Sequence, residues 1–182
     1  MSELQLTASF GDYSHTRALK NGIYSSPRIE FEHVQVSPVT SIFRRMVREY
    51  EFDLAEMALS TYLCARHHGK KFSGIPIFLT RSFYHGGISY NAKSGIQSVD
   101  DLNGKRIGVR GYTVTPGVWT RGMLQTVYGI DLSSITWVLS GDEHVEEYVA
   151  PKNVLSSQNS NLNEMLESGE IDAAIGAGIS DN

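Results

Sequence analysis

The sequence predicts an α/β protein made of two related lobes, each a mainly parallel sheet with helices on both faces. Strand-like and helix-like segments alternate along most of the 182-residue chain, the pattern of parallel strands joined by helical crossovers. Two stretches also echo each other. Phe43–Tyr50 runs into Glu51-Phe52-Asp53-Leu54-Ala55, and Asn163–Gly169 runs into Glu170-Ile171-Asp172-Ala173-Ala174. Each is an amphipathic helix followed by an acidic–apolar–Asp–apolar–Ala strand. The length agrees with one large domain or two small lobes. Two lobes facing each other would offer a small ligand a cleft.

The elements follow in order. Leu4, Leu6 and Ala8 alternate with polar residues, a strand that ends at Phe10-Gly11. Asp12–Lys20 has a short helical pattern stopped by Asn21-Gly22. Ile29, Phe31, Val34 and Val36 suggest a second strand that changes face near His33. Ser37-Pro38 has the chemistry of a helix start, a capping serine with proline behind it, for a helix to about Glu49. A third strand is expected over Phe52–Met57, a helix over Ser60–His67, and a short edge strand over Ile75–Leu79 with Pro76 near its start. Phe83–Tyr90 reads as a crossing segment, which places the first lobe at 1–85 and the second at 86–182.

The second series opens with a connector over Gly95–Gly104 and a strand at Arg106–Val109. Thr115-Pro116 then starts a helix that Gly129 ends, with Thr115 as the cap. A strand at Ile135–Leu139 leads into a polar stretch, Asp142–Asn163, with Ser156-Ser157-Gln158-Asn159-Ser160 as loop. Asn161 and Glu164 form a capping pair before the last helix, and Ile171–Ile175 is the last strand.

Composition narrows the function classes. With 41% hydrophobic and 20% charged residues the chain is globular in character, and its net charge of -4 excludes a nucleic-acid footprint. Arg44, Arg45 and Arg48 alternate with apolar residues and form a solvated helix face. The one cysteine, Cys64, sits in an apolar helical pattern and reads as a core thiol. No apolar run is long enough to span a bilayer. Met1-Ser2-Glu3-Leu4 lacks the basic and apolar regions of an export signal, so a cytoplasmic location is expected, or a periplasmic one if an upstream signal was removed. Self-association is left open.

Ligands of such sheets sit beyond the carboxyl ends of the strands. That selects Gly11, Asp12 and Tyr13, Glu56 through Ser60 and Thr61, Arg81 through His85, and Gly111 through Tyr112 and Thr113 to Thr115. Thr113 and Thr115 stand at a helix start, where unpaired N–H groups favour a carboxylate or phosphate, although Thr115 could simply cap its own helix. Arg81 offers a bidentate grip on a carboxylate, and His85 a proton near neutral pH or a structural hydrogen bond. Glu56, among apolar neighbours, is either an ion-pair partner or a proton carrier. Metal binding is not expected: His67 and His68 are adjacent and so diverge on a helix, and no metal-spaced His or Cys pattern exists. Without a GxGxxG or P-loop pattern, nucleotide cofactors are not expected either.

Gly11-Asp12-Tyr13-Ser14-His15-Thr16-Arg17-Ala18-Leu19 and Phe52–Leu63 resemble motifs of the 4,5-dihydroxyphthalate decarboxylase family. Ile75-Pro76-Ile77-Phe78 leading to Arg81-Ser82-Phe83-Tyr84-His85, Gly104–Val109 and Val118–Leu124 are similar to further segments, in the family's order, with Tyr84 at a position where the family has a basic residue. The resemblance implies a fold like the type II periplasmic binding proteins, with the chain covering roughly the first half of the family's length. It also implies a lyase that needs no cofactor and removes CO2 from a small anionic aromatic acid. In that reading His85 is the acid, Glu56 or Asp12 lies near the ring hydroxyls, Arg17 pairs with Asp12 or substrate, and Arg81 and the Thr113–Thr115 helix start hold carboxylates. The rival reading is a solute-binding protein of the same fold that captures an aromatic or heterocyclic acid for a transporter.

Overall fold

The computed structural model describes residues 4–177, which pack as two compact units. The first takes the described residues up to Arg81 together with His144–Glu146. The second takes Ser82–Glu143 and the described residues from Glu147 onward.

In the first unit, β1 (Leu4–Ser9), β2 (Ile29–His33) and β3 (Leu54–Ala55) form a parallel sheet in the order β2-β1-β3. The short helix α1 (Arg17–Lys20) lies between β1 and β2, and α2 (Thr40–Glu49) between β2 and β3. A third helix, α3 (Leu59–His67), follows β3. In α2 the residues Ile42, Phe43, Met46 and Val47 recur on one stripe of a 3.6-residue period and are all buried. Ile42, Phe43 and Met46 pack with Phe52, and Ala55, Met57 and Phe72 close the cluster. On the polar side of α2, Arg45 pairs with Glu51, and Arg48 with Glu146 at 3.1 Å. The basic group expected to be a solvated face is therefore partly engaged in ion pairs.

In the second unit, β4 (Ile88–Tyr90), β5 (Arg106–Val109), β6 (Thr136–Leu139), β7 (Val154–Ser156) and β8 (Ala173–Ile175) form a sheet in the order β4-β8-β5-β6-β7. All pairs are parallel except β4 with β8. Alternation along the strands assigns the two faces. Ile107, Val109, Trp137, Leu139, Ala173 and Ile175 join Leu124 of α4 (Thr115–Thr126) in one cluster. Val138 and Ala174 point the other way, to Met165 of α5 (Leu162–Ser168) and to Ile171. Gly108 belongs to this second face. A Cβ there would come within 2.4 Å of Ile171 Cδ1 and 2.9 Å of Leu162 Cδ2, so the absent side chain lets α5 settle on the sheet.

The echo in the sequence is an echo in structure. Both α2 and α5 end on a left-handed residue, Tyr50 (φ 52°) and Gly169 (φ 76°). A buried apolar residue follows, Phe52 or Ile171. Next comes an aspartate whose carboxylate accepts a backbone N–H from the central strand: Thr7 N–H to Asp53 at 2.8 Å, and Arg106 N–H to Asp172 at 2.9 Å. The next residue opens the parallel ladder, Leu54 opposite Ala8 and Ala173 opposite Ile107.

Several elements differ from expectation. No strand forms over Ile75–Leu79: Pro76 has no N–H to give a ladder, Ile77 N–H turns back onto the Ile75 carbonyl, and Ile75, Ile77 and Phe78 are exposed. Ser37 does not cap α2. It precedes Pro38 through a cis peptide bond, and Val39 holds the cap position. Likewise Val114, not Thr115, is the cap of α4. The segment from Asp12 to Thr16 is a turn closed by Thr16 and Arg17 N–H groups on the Tyr13 carbonyl, and only Arg17–Lys20 is helical. The polar stretch after Asp142 contains β7, an edge strand of three residues. Cys64 is half-buried, with Sγ 3.9 Å from His68 Nδ1, because its side of α3 is not fully covered. The His67 and His68 rings meet at 5.1 Å rather than diverging, since His68 has left the helix. No helix among the described residues is long and apolar enough to cross a membrane.

Gly108→Ala is expected to destabilise by about 1–3 kcal/mol through overpacking. Ile171→Val, which removes the obstructing Cδ1, makes the pair less costly than the sum of the single changes, as a double-mutant cycle in urea would show. The Thr7 donors hold the Asp53 carboxyl below the usual carboxylate range. Stability from a depressed carboxyl is present above its unfolded pKa and is lost as pH falls through the folded one. The advantage of wild type over Asp53→Asn in urea midpoint should therefore be level near neutrality and shrink below about pH 3.9.

Candidate functional site

In each unit the chain leaves the central strand through a glycine-containing loop, and the strand order reverses beside that strand, where open α/β sheets place ligands. In the first unit the loop is Gly11–Thr16. Glu56 is placed by the sheet itself, since its N–H bonds to the Ser9 carbonyl at 2.9 Å and extends the β1–β3 ladder. Its carboxylate accepts Gly11 N–H at 2.8 Å on one oxygen and the Tyr13 hydroxyl at 2.7 Å on the other. Tyr13 can fold back this far because residue 11 is glycine: a Cβ there would lie 2.5 Å from the Tyr13 ring.

Around this pair, the buried Thr16 hydroxyl accepts Tyr13 N–H at 3.0 Å and lies 3.1 Å from the Gly11 carbonyl. The His15 ring stacks on Tyr13 at 5.5 Å. Burial, reinforced by the bond to Glu56, pushes the Tyr13 phenol well above its ordinary pKa. Tyr13 is thus held as a neutral donor to Glu56. Glu56 itself is a hydrogen-bond acceptor here, a role not among those open from sequence. Asp12 and Arg17 approach at 3.8 Å, both exposed, so the pair contributes little.

Two neighbours escaped the sequence reading. Lys20 Nζ donates to the Phe10 carbonyl at 3.1 Å and stands 5.5 Å over the Phe10 ring. His33 meets the edge of Phe10 at 5.3 Å. Its pKa is lowered, by burial first and by the Lys20 charge second. At the start of α3, Thr61 is fully buried and its hydroxyl lies 3.0 Å from His144 Nδ1. It builds the interior of the unit, whereas Ser60 is half-buried beside it.

In the second unit the loop is Gly111–Val114, leading into α4. Tyr112 N–H, Thr113 N–H (3.0 Å) and the Thr113 hydroxyl all donate to one carboxylate, that of Glu143. The donors of this cradle belong to Tyr112 and Thr113, which precede the Val114 cap of α4. Arg121 lies against the cradle, with Nη2 donating to the Tyr112 carbonyl at 2.7 Å and the guanidinium 3.6 Å from the Tyr112 ring centroid. Tyr148 stacks on Tyr112 at 6.4 Å. Glu143 lies 30 residues beyond Thr113, so no local pattern marks it. Arg121 had a signal: Gly117, Arg121 and Leu124 fall at helical spacing on the buried side of α4.

The remaining candidates stand apart from these clusters within their own units. Arg81 is exposed, its guanidinium 5.0 Å from the Phe78 ring. His85 is exposed on the turn before β4, 6.3 Å from the Phe83 ring.

Two α/β units of this topology, each with a loop of donors past its central strand, have the fold of a periplasmic-binding-protein-like protein. The chain is similar to the alkanesulfonate-binding protein SsuA from Xanthomonas axonopodis pv. citri bound to MOPS, with a TM-score of 0.52, 16% identity, and coverage of 96% of this chain and 55% of that one. It is also similar to the periplasmic aliphatic sulphonate binding protein SsuA from Escherichia coli, with a TM-score of 0.52, 13% identity, and coverage of 96% and 54%. At these identities the likeness concerns the fold alone. The family described as NMT1/THI5 like matches residues 18–180. Over 185 residues the chain is 34% identical to the 4,5-dihydroxyphthalate decarboxylases of Pseudomonas putida and Comamonas testosteroni, covering 97% of this chain in both cases. It spans 71% of the first relative and 56% of the second. The chain belongs to the NMT1/THI5-like family, alongside the 4,5-dihydroxyphthalate decarboxylases.

Tyr13→Phe removes the phenol from Glu56. Ultraviolet difference titration of wild type against this variant should show the lost tyrosine ionising above the others. A difference spectrum centred near pH 10, the ordinary tyrosine value, would contradict the raised pKa.

Proposed function

We propose that this protein decarboxylates a hydroxylated aromatic dicarboxylate of the 4,5-dihydroxyphthalate type, as its curated relatives are named for doing. The observation that carries the reading is the cradle at Tyr112 and Thr113, whose donors converge on a carboxylate. The 34% identity across 97% of the chain supports it.

The chemistry asks for a proton and little else. A proton adds to the ring carbon that bears the carboxylate, and the hydroxyl para to it stabilises the cationic ring. The carbon–carbon bond then breaks, its electrons restore the aromatic ring, and CO2 leaves with a dihydroxybenzoate as the other product. In this reading the Thr113 cradle takes a carboxylate and Arg81 is the second carboxylate donor. The Tyr13–Glu56 pair, with Asp12 and Arg17 near it, meets the ring hydroxyls, since the phenol oxygen and the carboxylate can both accept from the hydroxyls of a catechol. His85 is the acid, because imidazolium is the group best matched to proton delivery near neutral pH.

The fold likeness to sulfonate-binding proteins supports a second reading, capture of an aromatic acid without chemistry. That role belongs in the periplasm, whereas the decarboxylase belongs in the cytoplasm, so cell fractionation separates them.

Incubation with 4,5-dihydroxyphthalate, followed by CO2 release with calorimetry in parallel, is expected to show turnover. Binding without release favours capture. His85→Gln should lower kcat at least about tenfold, and unchanged turnover would remove His85 from the role.

A further inference from the structure

Glu143 lies in the loop after β6, and both of its carboxylate oxygens are engaged by the Tyr112–Thr113 cradle. Arg121, beside the cradle, is only 7% exposed, and its Nη1 has no hydrogen-bond partner among the described residues. A Cβ on Gly117 would come 3.2 Å from Nη1 and 3.5 Å from the Gly111 carbonyl, and a Cβ on Gly111 would lie 3.8 Å from Glu143 Oε1. The unpartnered Nη1 and the carboxylate thus border the same glycine corner. The Tyr112–Thr113 peptide links them further. Its carbonyl receives Arg121 Nη2 while its N–H donates to Glu143. Carbonyl and N–H of a trans peptide point in opposite directions, so the guanidinium orients and polarises this donor from behind. A buried cation with one amino group unpaired gives the corner a positive field suited to an anion.

We propose that this corner is an exchange site, in which Glu143 occupies the cradle in the absence of ligand and the carboxylate of an aromatic acid displaces it. The proposal rests on the carboxylate-recognising reading above. Glu143 and an aryl carboxylate present the same pair of oxygens to the same three donors, so only one can be held at a time. Because Glu143 is tethered, it competes at a high effective concentration. An incoming acid therefore binds with its intrinsic affinity reduced by the fraction of cradles that stand open. Arg121 is a positioning residue in this arrangement, acting through the peptide it holds.

The test is calorimetric titration of phthalate, a dicarboxylate without ring hydroxyls, into wild type, Glu143→Gln and Glu143→Asp. The first variant removes the competing charge. The second keeps the charge but draws it back by one methylene, which separates exchange at the cradle from a general loss of repulsion. Both are expected to bind phthalate at least about fivefold more tightly than wild type. Equal or weaker binding in both variants, or no phthalate binding by any of the three proteins, overturns the proposal. CO2 release from 4,5-dihydroxyphthalate is followed alongside. Turnover without tightening leaves the decarboxylase reading standing and removes the exchange; tightening without turnover does the reverse.

Discussion

A parallel strand that ends in a loop leaves backbone N–H groups with no ladder to join, and buried donors of this kind must find acceptors. Both units meet this requirement beyond their central strand with a carboxylate brought from elsewhere in the unit. Gly11 N–H reaches Glu56, and Tyr112 and Thr113 N–H reach Glu143. A charged acceptor holds such donors more strongly than a neutral carbonyl, so the loops are fixed in shape while their donors stay directed outward from the sheet. The rest of the arrangement depends on that. Tyr13 is positioned by the Glu56 carboxylate, and the peptide that links Arg121 to the cradle is held from both sides.

Where β3 and β8 join the same strands, a second pair of carboxylates does related work. Asp53 and Asp172 each take the N–H of the residue just before the ladder opens, so the pairing of Leu54 with Ala8 and of Ala173 with Ile107 begins in register. Each aspartate follows a buried apolar anchor and a left-handed helix stop. The recurrence of the whole device explains why the sequence repeats there and hardly anywhere else. A helix face tolerates many residues, but this junction needs a particular order of apolar, acidic and small side chains.

The two loops differ in chemistry, and the difference bears on function. The first presents a neutral phenol against a carboxylate, a pair suited to hydroxyl groups. The second presents backbone and hydroxyl donors backed by a buried guanidinium, a set suited to an anion. His85, the proposed acid, stands apart from the loop of its own unit, exposed on the turn before β4.

The alternation of elements, the amphipathic stripe of α2, the repeated junction at Asp53 and Asp172 and the cap at Asn161 are local matters, and the order of residues was enough to determine them. Tertiary structure decided what depends on distance along the chain. Glu143 meets Thr113 across 30 residues and Glu56 meets Gly11 across 45. Thr61 turns inward because His144, 83 residues away, waits for its hydroxyl. Ile75–Leu79 is no strand because no neighbour offers it a ladder, whereas Val154–Ser156 is one because β6 does. Pairing and charge complementarity between distant segments arise only when the chain closes on itself, and no periodicity in the sequence records them.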